Sequence, residues 1–141
     1  MTATERLIDL SASVENVWSV VTDPEQFVHF TKYTSAYFEP REDADVRLES
    51  EAGIQLGRVT EVTHPSRFAY RLAVEPDVDP GPGSSTLVEF TLTPAQVGSR
   101  IVVRESGFGA LDEQYGQAVD LLEQAGETWN TALLRLESML E

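Results

Sequence analysis

Glu105 is the residue whose type and position bear most directly on chemistry. It continues the alternation of Ile101 and Val103, so a strand that turns those side chains inward turns Glu105 inward too. A carboxyl group among apolar neighbours holds its proton more tightly, and such groups cluster at functional sites. The ordinary alternatives are a strand end that has reached solvent, or an ion pair with Arg71 or Arg104. Tyr70 shares the inward face by parity, and its hydroxyl suits a ligand carbonyl or a backbone partner. His29 and His64 are the only histidines. A histidine beside acids can act as a general base. His29 lies on a short predicted helix near one end of the inward face, and His64 sits in a turn before Pro65. The acidic run Glu39, Glu42, Asp43 and Asp45 offers oxygens to a hard cation. It lacks the spacing and central glycine of a calcium loop and reads as a solvated loop. There is no Gly-rich phosphate loop and no nucleophile motif. Cysteine is absent, which excludes disulfides, thiolate catalysis and zinc–thiolate sites. No catalytic residue, metal site or cofactor is assigned, so any chemistry would rest on holding a substrate beside one acid or base.

The elements that must position these residues follow from periodicity. Glu5 to Leu10 alternates weakly and reads as a first strand. Ser13 is a predicted cap for a short helix carrying Val14, Val17, Trp18 and Val21 on one side. Asp23-Pro24 opens a second short helix with Phe27 and Phe30. Strands are then expected near Ser35–Glu39, Val46–Glu51 and Ile54–Thr63. Gly57 inside the last of these marks a bulge or a close approach of backbone. Phe68, Tyr70, Leu72 and Val74 alternate with Ala69, Arg71 and Ala73, a half-buried strand. Pro76 to Ser85 is a proline- and glycine-rich rim, and Val88, Phe90 and Leu92 resume the alternation. Residues 112–141 read as one long helix with Asp112 as its cap. Its stripe runs through Ala118, Leu122, Ala125, Trp129, Ala132, Leu133, Leu136, Met139 and Leu140.

The order is strand, two short helices, about six further antiparallel strands and a long helix. That pattern predicts an α+β architecture in which a twisted sheet leaves a concave apolar face and the long helix fills it. Parity puts Phe68, Tyr70, Leu72, Val88, Phe90, Leu92, Ile101 and Val103 on that face, opposite Leu122, Trp129, Leu133 and Leu136. A chain of 141 residues suits a single domain over 1–141. Its formal net charge of −14 disfavours nucleic acid and anionic membrane surfaces. No signal peptide or membrane-spanning run is read, and a cytoplasmic location is expected.

Several stretches, taken in order, resemble one family. They are Ser13-Val14-Glu15-Asn16-Val17-Trp18, Val21-Thr22-Asp23-Pro24-Glu25, Gly57-Arg58-Val59-Thr60-Glu61-Val62 and Pro65-Ser66-Arg67-Phe68-Ala69-Tyr70. Ser85 to Leu92, Gly98-Ser99-Arg100, Glu105-Ser106-Gly107-Phe108 and Trp129 with Leu133 and Leu136 complete the match. Together they resemble the helix-grip superfamily (SRPBCC, with the START domains), and within it the activators of the ninety-kilodalton heat-shock ATPase. The resemblance implies a curved antiparallel sheet of six to seven strands, gripping the long helix over a cavity. It implies a small hydrophobic or aromatic ligand, of lipid or polyketide-like type, bound without catalysis. Tyr70, Phe90, Val103, Glu105, Phe108, Leu122, Trp129, Leu133, Phe30 and His29 are then the expected ligand-binding residues. The same fold also carries aromatase/cyclase enzymes, and the family name implies a co-chaperone module as a third reading. A monomer or homodimer is expected, with a chaperone as a possible partner under that third reading.

Overall fold

The computed structural model describes residues 3–140. Seven antiparallel strands form one sheet in the order β1-β7-β6-β5-β4-β3-β2. In chain order they are β1 (Ala3–Leu10), β2 (Ser35–Tyr37), β3 (Asp45–Ser50), β4 (Gly53–Thr63), β5 (Arg67–Ala73), β6 (Ser85–Pro94) and β7 (Ser99–Ser106). Every consecutive pair from β2 to β7 is a neighbour, and β1 closes on β7, so the chain returns to its first strand last. Two short helices, α1 (Val14–Val21) and α2 (Pro24–Phe30), fill the connection from β1 to β2. A third, α3 (Ala118–Leu140), ends the chain against β1 and α2. This is the α+β architecture that the order of elements predicted, in the helix-grip arrangement that the family resemblance implied.

The local causes are readable. Ser13 caps α1 by accepting from the Asn16 amide at 3.2 Å, and Asp23 caps α2 by accepting from the Glu25 amide at 3.0 Å. Pro24 stands at the first position of α2, where its missing N–H costs nothing. Along β6 and β7 the inward residues Val88, Phe90, Leu92, Ile101 and Val103 are buried, while Arg104 faces out and Glu89 is only half-buried. The convex face is laced with charge. Arg67 bonds Glu89 at 2.7 Å and Glu61 at 3.1 Å, and Arg100 bonds Asp9 at 2.7 Å.

The expected bulge in β4 lies at Thr60, between Val59 and Glu61, and not at Gly57. Gly57 instead answers the other half of that expectation. The Arg71 carbonyl lies where its Cβ would stand, so no larger residue fits without moving the backbone.

The long helix is shorter than its periodicity suggested. It begins at Ala118, and Asp112 precedes only a 3-10 turn over Glu113–Tyr115, with no capping bond from its side chain, after another over Phe108–Ala110. Gly116, at φ 110°, stands between that turn and the helix, in a conformation a right-handed helix does not contain. The Asp112 amide donates to the Gly83 carbonyl at 2.8 Å, tying the segment to the β5–β6 rim. Tertiary hydrogen bonds thus claim a stretch whose polar and apolar spacing is also compatible with a helix.

The core divides along the concave face. Toward α2, Phe27, Phe30, Phe38, Phe68 and Phe90 are all buried. Phe27 meets Phe30 at 5.2 Å and Phe38 at 5.4 Å between ring centroids, both near-perpendicular contacts that aromatic rings favour. Toward the C-terminal ends of β5 and β7, and the N-terminal half of α3, the side chains become smaller and the packing opens.

Candidate functional site

Glu105 faces inward from β7, as its parity with Ile101 and Val103 required. It makes neither of the ion pairs that its sequence position allowed. The Trp129 indole N–H, reaching down from α3, donates to its Oε1 at 2.8 Å. The Thr86 hydroxyl, on neighbouring β6, donates to its Oε2 at 2.6 Å. Both partners are buried, Trp129 at 6% exposure and Thr86 at 2%, whereas Glu105 is half-buried. One carboxylate thereby ties the long helix to the sheet, and each of its oxygens keeps acceptor capacity.

A cavity of about 220 Å³ opens beside it. The sheet side is Leu72, Ala73, Thr86 and Glu105, with Gln55 from β4 donating to the Ala73 carbonyl at 2.8 Å. The helix side is Leu121, Gln124, Ala125, Thr128, Trp129 and Ala132, successive turns of one face of α3. Thr31, Lys32 and Tyr33, just after α2, and Phe108 close the ends. Lys32 and Gln124 are exposed, so the cavity reaches solvent between them.

Two phenols stand in this region. Burial first, and the negative charge of Glu105 second, push the Tyr33 hydroxyl well above its ordinary pKa. Burial pushes the Tyr70 hydroxyl in the same direction, helped by Tyr33 and Glu105. Both stay protonated through neutral pH and can only donate or accept as neutral O–H groups. Lys32 Nζ lies 5.6 Å from the Tyr33 ring centroid, a cation over an aromatic face.

Of the residues the sequence singled out, Glu105, Phe108 and Trp129 line the cavity. Tyr70 lies buried behind it, close enough for Glu105 to act on its hydroxyl. Phe30, Phe90, Val103 and Leu133 are packed in the core. Leu122 is half-buried outside the lining, its place taken by Leu121. His29 is away from the cavity mouth, in an open surface groove with Leu134, Arg135 and Met139. His64 is exposed, its Nε2 2.9 Å from Glu15 Oε2. In the acidic loop Glu39 pairs with Arg41 at 2.8 Å. Among the described residues no three His, Asp or Glu side chains gather to hold a metal ion.

Sequence reading missed Thr86, Tyr33 and Thr128, and it placed Ala125 and Ala132 in the stripe without assigning them to the site. Extending the parity of Val88 and Phe90 back by one step reaches Thr86. Ala125, Thr128 and Ala132 are found by asking where the stripe is small and not only where it is apolar. Tyr33 follows the end of α2 and carries no periodic signal.

The family model described as Activator of Hsp90 ATPase homolog 1-like protein matches residues 11–141. No curated protein sequence matches the chain. Among solved structures, protein MLL2253 from Mesorhizobium loti superposes with a TM-score of 0.80 at 18% identity, covering 98% of this chain and 96% of that one. The Aha1 dimer from Colwellia psychrerythraea gives a TM-score of 0.75 at 17% identity, covering 100% and 97%. DynU16, a putative protein in the dynemicin biosynthetic locus, gives a TM-score of 0.77 at 20% identity, covering 99% of this chain but 47% of that one. At these identities the likeness is one of fold.

Proposed function

Because the chain belongs to the family of Activator of Hsp90 ATPase homolog 1-like proteins, we propose that it uses the helix-grip cavity to enclose a small hydrophobic or aromatic molecule, without catalysis. The observation that carries this reading is the cavity of about 220 Å³, apolar along Leu72, Phe108, Leu121 and Ala132, with one carboxylate held at its wall. Size narrows the ligand. Drug-sized ligands occupy about 300–1,000 Å³, while a dry cavity of about 150 Å³ accepts a benzene ring. A compact ring system fits, and a long acyl chain would require the cavity to widen.

Enclosure alone gives weak binding. A ring of side-chain size carries about 150–250 Å² of surface, so its removal from water contributes roughly 4–6 kcal/mol. Lost translational and rotational freedom offsets much of this, leaving a bare ring with affinity weaker than about millimolar. Affinity and orientation must then come from the polar groups, Glu105 first.

Solution NMR of the protein titrated with toluene, phenol and indole tests the reading. Shifts confined to residues around Trp129, Phe108 and Ala125, and abolished by Ala125→Leu, are expected. Shifts scattered over the surface, or none, would remove it. Among the described residues, Glu105 with the protonated Tyr33 and Tyr70 phenols near it is also a grouping suited to an aromatase/cyclase type of proton transfer. Turnover of a bound ligand that disappears in Glu105→Gln would favour that second reading.

A further inference from the structure

Glu105 has a feature that enclosure does not use. Its two oxygens accept one neutral hydrogen bond each, from Trp129 and Thr86, yet no arginine, lysine or histidine pairs with it among the described residues. Every other acid named above at a contact with a base sits at the surface or on the convex face. A half-buried carboxylate that loses water without gaining a counter-ion is costly, and an ammonium group arriving with a ligand would restore the balance. The geometry leaves room for one, because a carboxylate offers about four acceptor positions and two are taken.

The walls favour the same chemistry. Tyr33, Phe108 and Trp129 line the cavity, and aromatic rings attract organic cations. Tyr33 already holds one, since Lys32 Nζ lies 5.6 Å from its centroid. Lys32 is the only basic residue of the lining, and it is exposed at the rim, not paired to Glu105. With a formal net charge of −14, the molecule as a whole also draws cations and repels anions.

We propose that the cavity selects a primary amine on a single aromatic ring, its ammonium bonded to Glu105 and its ring held between Tyr33, Trp129 and Phe108. This rests on the enclosure reading and names the ligand class for the same site. The ammonium donates to the free acceptor positions of Glu105, and no covalent step is involved. The ammonium brings a charged donor to a charged acceptor, whereas an alcohol brings only a neutral donor to the same carboxylate, and that difference sets the expected preference.

Three probes of matched shape decide it: phenethylamine, phenethyl alcohol and phenylacetate. Binding is followed by tryptophan fluorescence in a Trp18→Phe background, which leaves Trp129 as the reporter. The amine is expected to bind about tenfold tighter than the alcohol, with phenylacetate weakest. Glu105→Gln should reduce amine affinity about tenfold and alcohol affinity by clearly less, because glutamine keeps the shape and an acceptor for Trp129 but removes the charge that only the ammonium pairs with. If the alcohol or phenylacetate binds as tightly as the amine, the proposal is overturned while enclosure stands. If none of the three binds, the amine proposal is overturned, and the titration with toluene, phenol and indole decides enclosure separately. The probe series on the unaltered Glu105 protein decides the matter even if the Glu105→Gln protein folds poorly.

Discussion

The two ends of the concave face are laid on the same strands and finished with different side chains. At the α2 end, Phe27 and Phe30 project from the helix into Phe38, Phe68 and Phe90, with Phe38 and Phe68 at 5.6 Å and Phe27 and Phe90 at 6.5 Å. Phe27, Phe30 and Phe90 are fully buried there. At the α3 end the helix presents Ala125, Thr128 and Ala132 to the sheet, and a cavity of about 220 Å³ is left. Trp129 marks the border: its ring meets Phe90 edge-on at 5.5 Å on one side, and its N–H reaches Glu105 on the other. One end holds the fold by burying rings, while the other leaves room and spends its polar groups on orientation. Stability and ligand contact should therefore separate under mutation.

Phe27→Ala should be the most damaging change. It removes a fully buried ring from the filled end and should cost about 3–5 kcal/mol in denaturant unfolding. Adding volume is the complementary probe. Val17→Phe, at a fully buried position of α1, should cost about 1–3 kcal/mol through overpacking. Ala125→Leu adds comparable bulk at the open end and should change stability by less than about 1 kcal/mol while abolishing aromatic probe binding. Equal destabilisation by the two insertions would show that the ends are not distinct. At the border, Trp129→Phe keeps most of the ring but deletes the indole donor. It should cost about 1 kcal/mol and weaken probe binding, because Glu105 loses the bond that aims it.

The smallest expected effect is on pH. Unfolded, the Tyr33 and Tyr70 phenols ionise near the ordinary value of 10.0, whereas the folded protein holds those protons to higher pH. Above that ordinary value the folded state carries more bound protons than the unfolded one, so stability falls as pH rises. Below it the contribution is fully present. Denaturant midpoints should be flat from neutrality to about pH 9 and decline beyond about pH 10. Tyr33→Phe should make that decline shallower, and an unchanged slope would show that Tyr33 is not held in a dry site.

Much of the closed end was legible in the residues. Alternation in β5, β6 and β7 placed Phe68, Phe90, Ile101 and Val103 on one face, and the caps at Ser13 and Asp23 placed α1 and α2. Glu105 was legible as inward, since a period of two admits no other face once Val103 is buried. Its partners were not. Trp129 lies 24 residues further along the chain and Thr86 19 residues earlier, and no local pattern relates them. Tyr33 was invisible because it follows a helix end, and Leu122 was chosen over Leu121 because the stripe marks what is buried and not which residue borders the cavity. His29 lies in a surface groove with Leu134 and Arg135, outside the cavity lining.

The residues by themselves determined which faces are buried, because burial follows from side-chain type repeating at the period of the backbone. They determined the order of strands and helices, the acidic surface and the absence of thiol chemistry. Tertiary structure alone decided where the long helix begins, because the Asp112 amide is taken by Gly83 and Gly116 separates the turn from the helix. It alone decided that the concave face is filled at one end and open at the other. A cavity is the volume that facing elements fail to fill, and that volume depends on how two distant stretches are brought together.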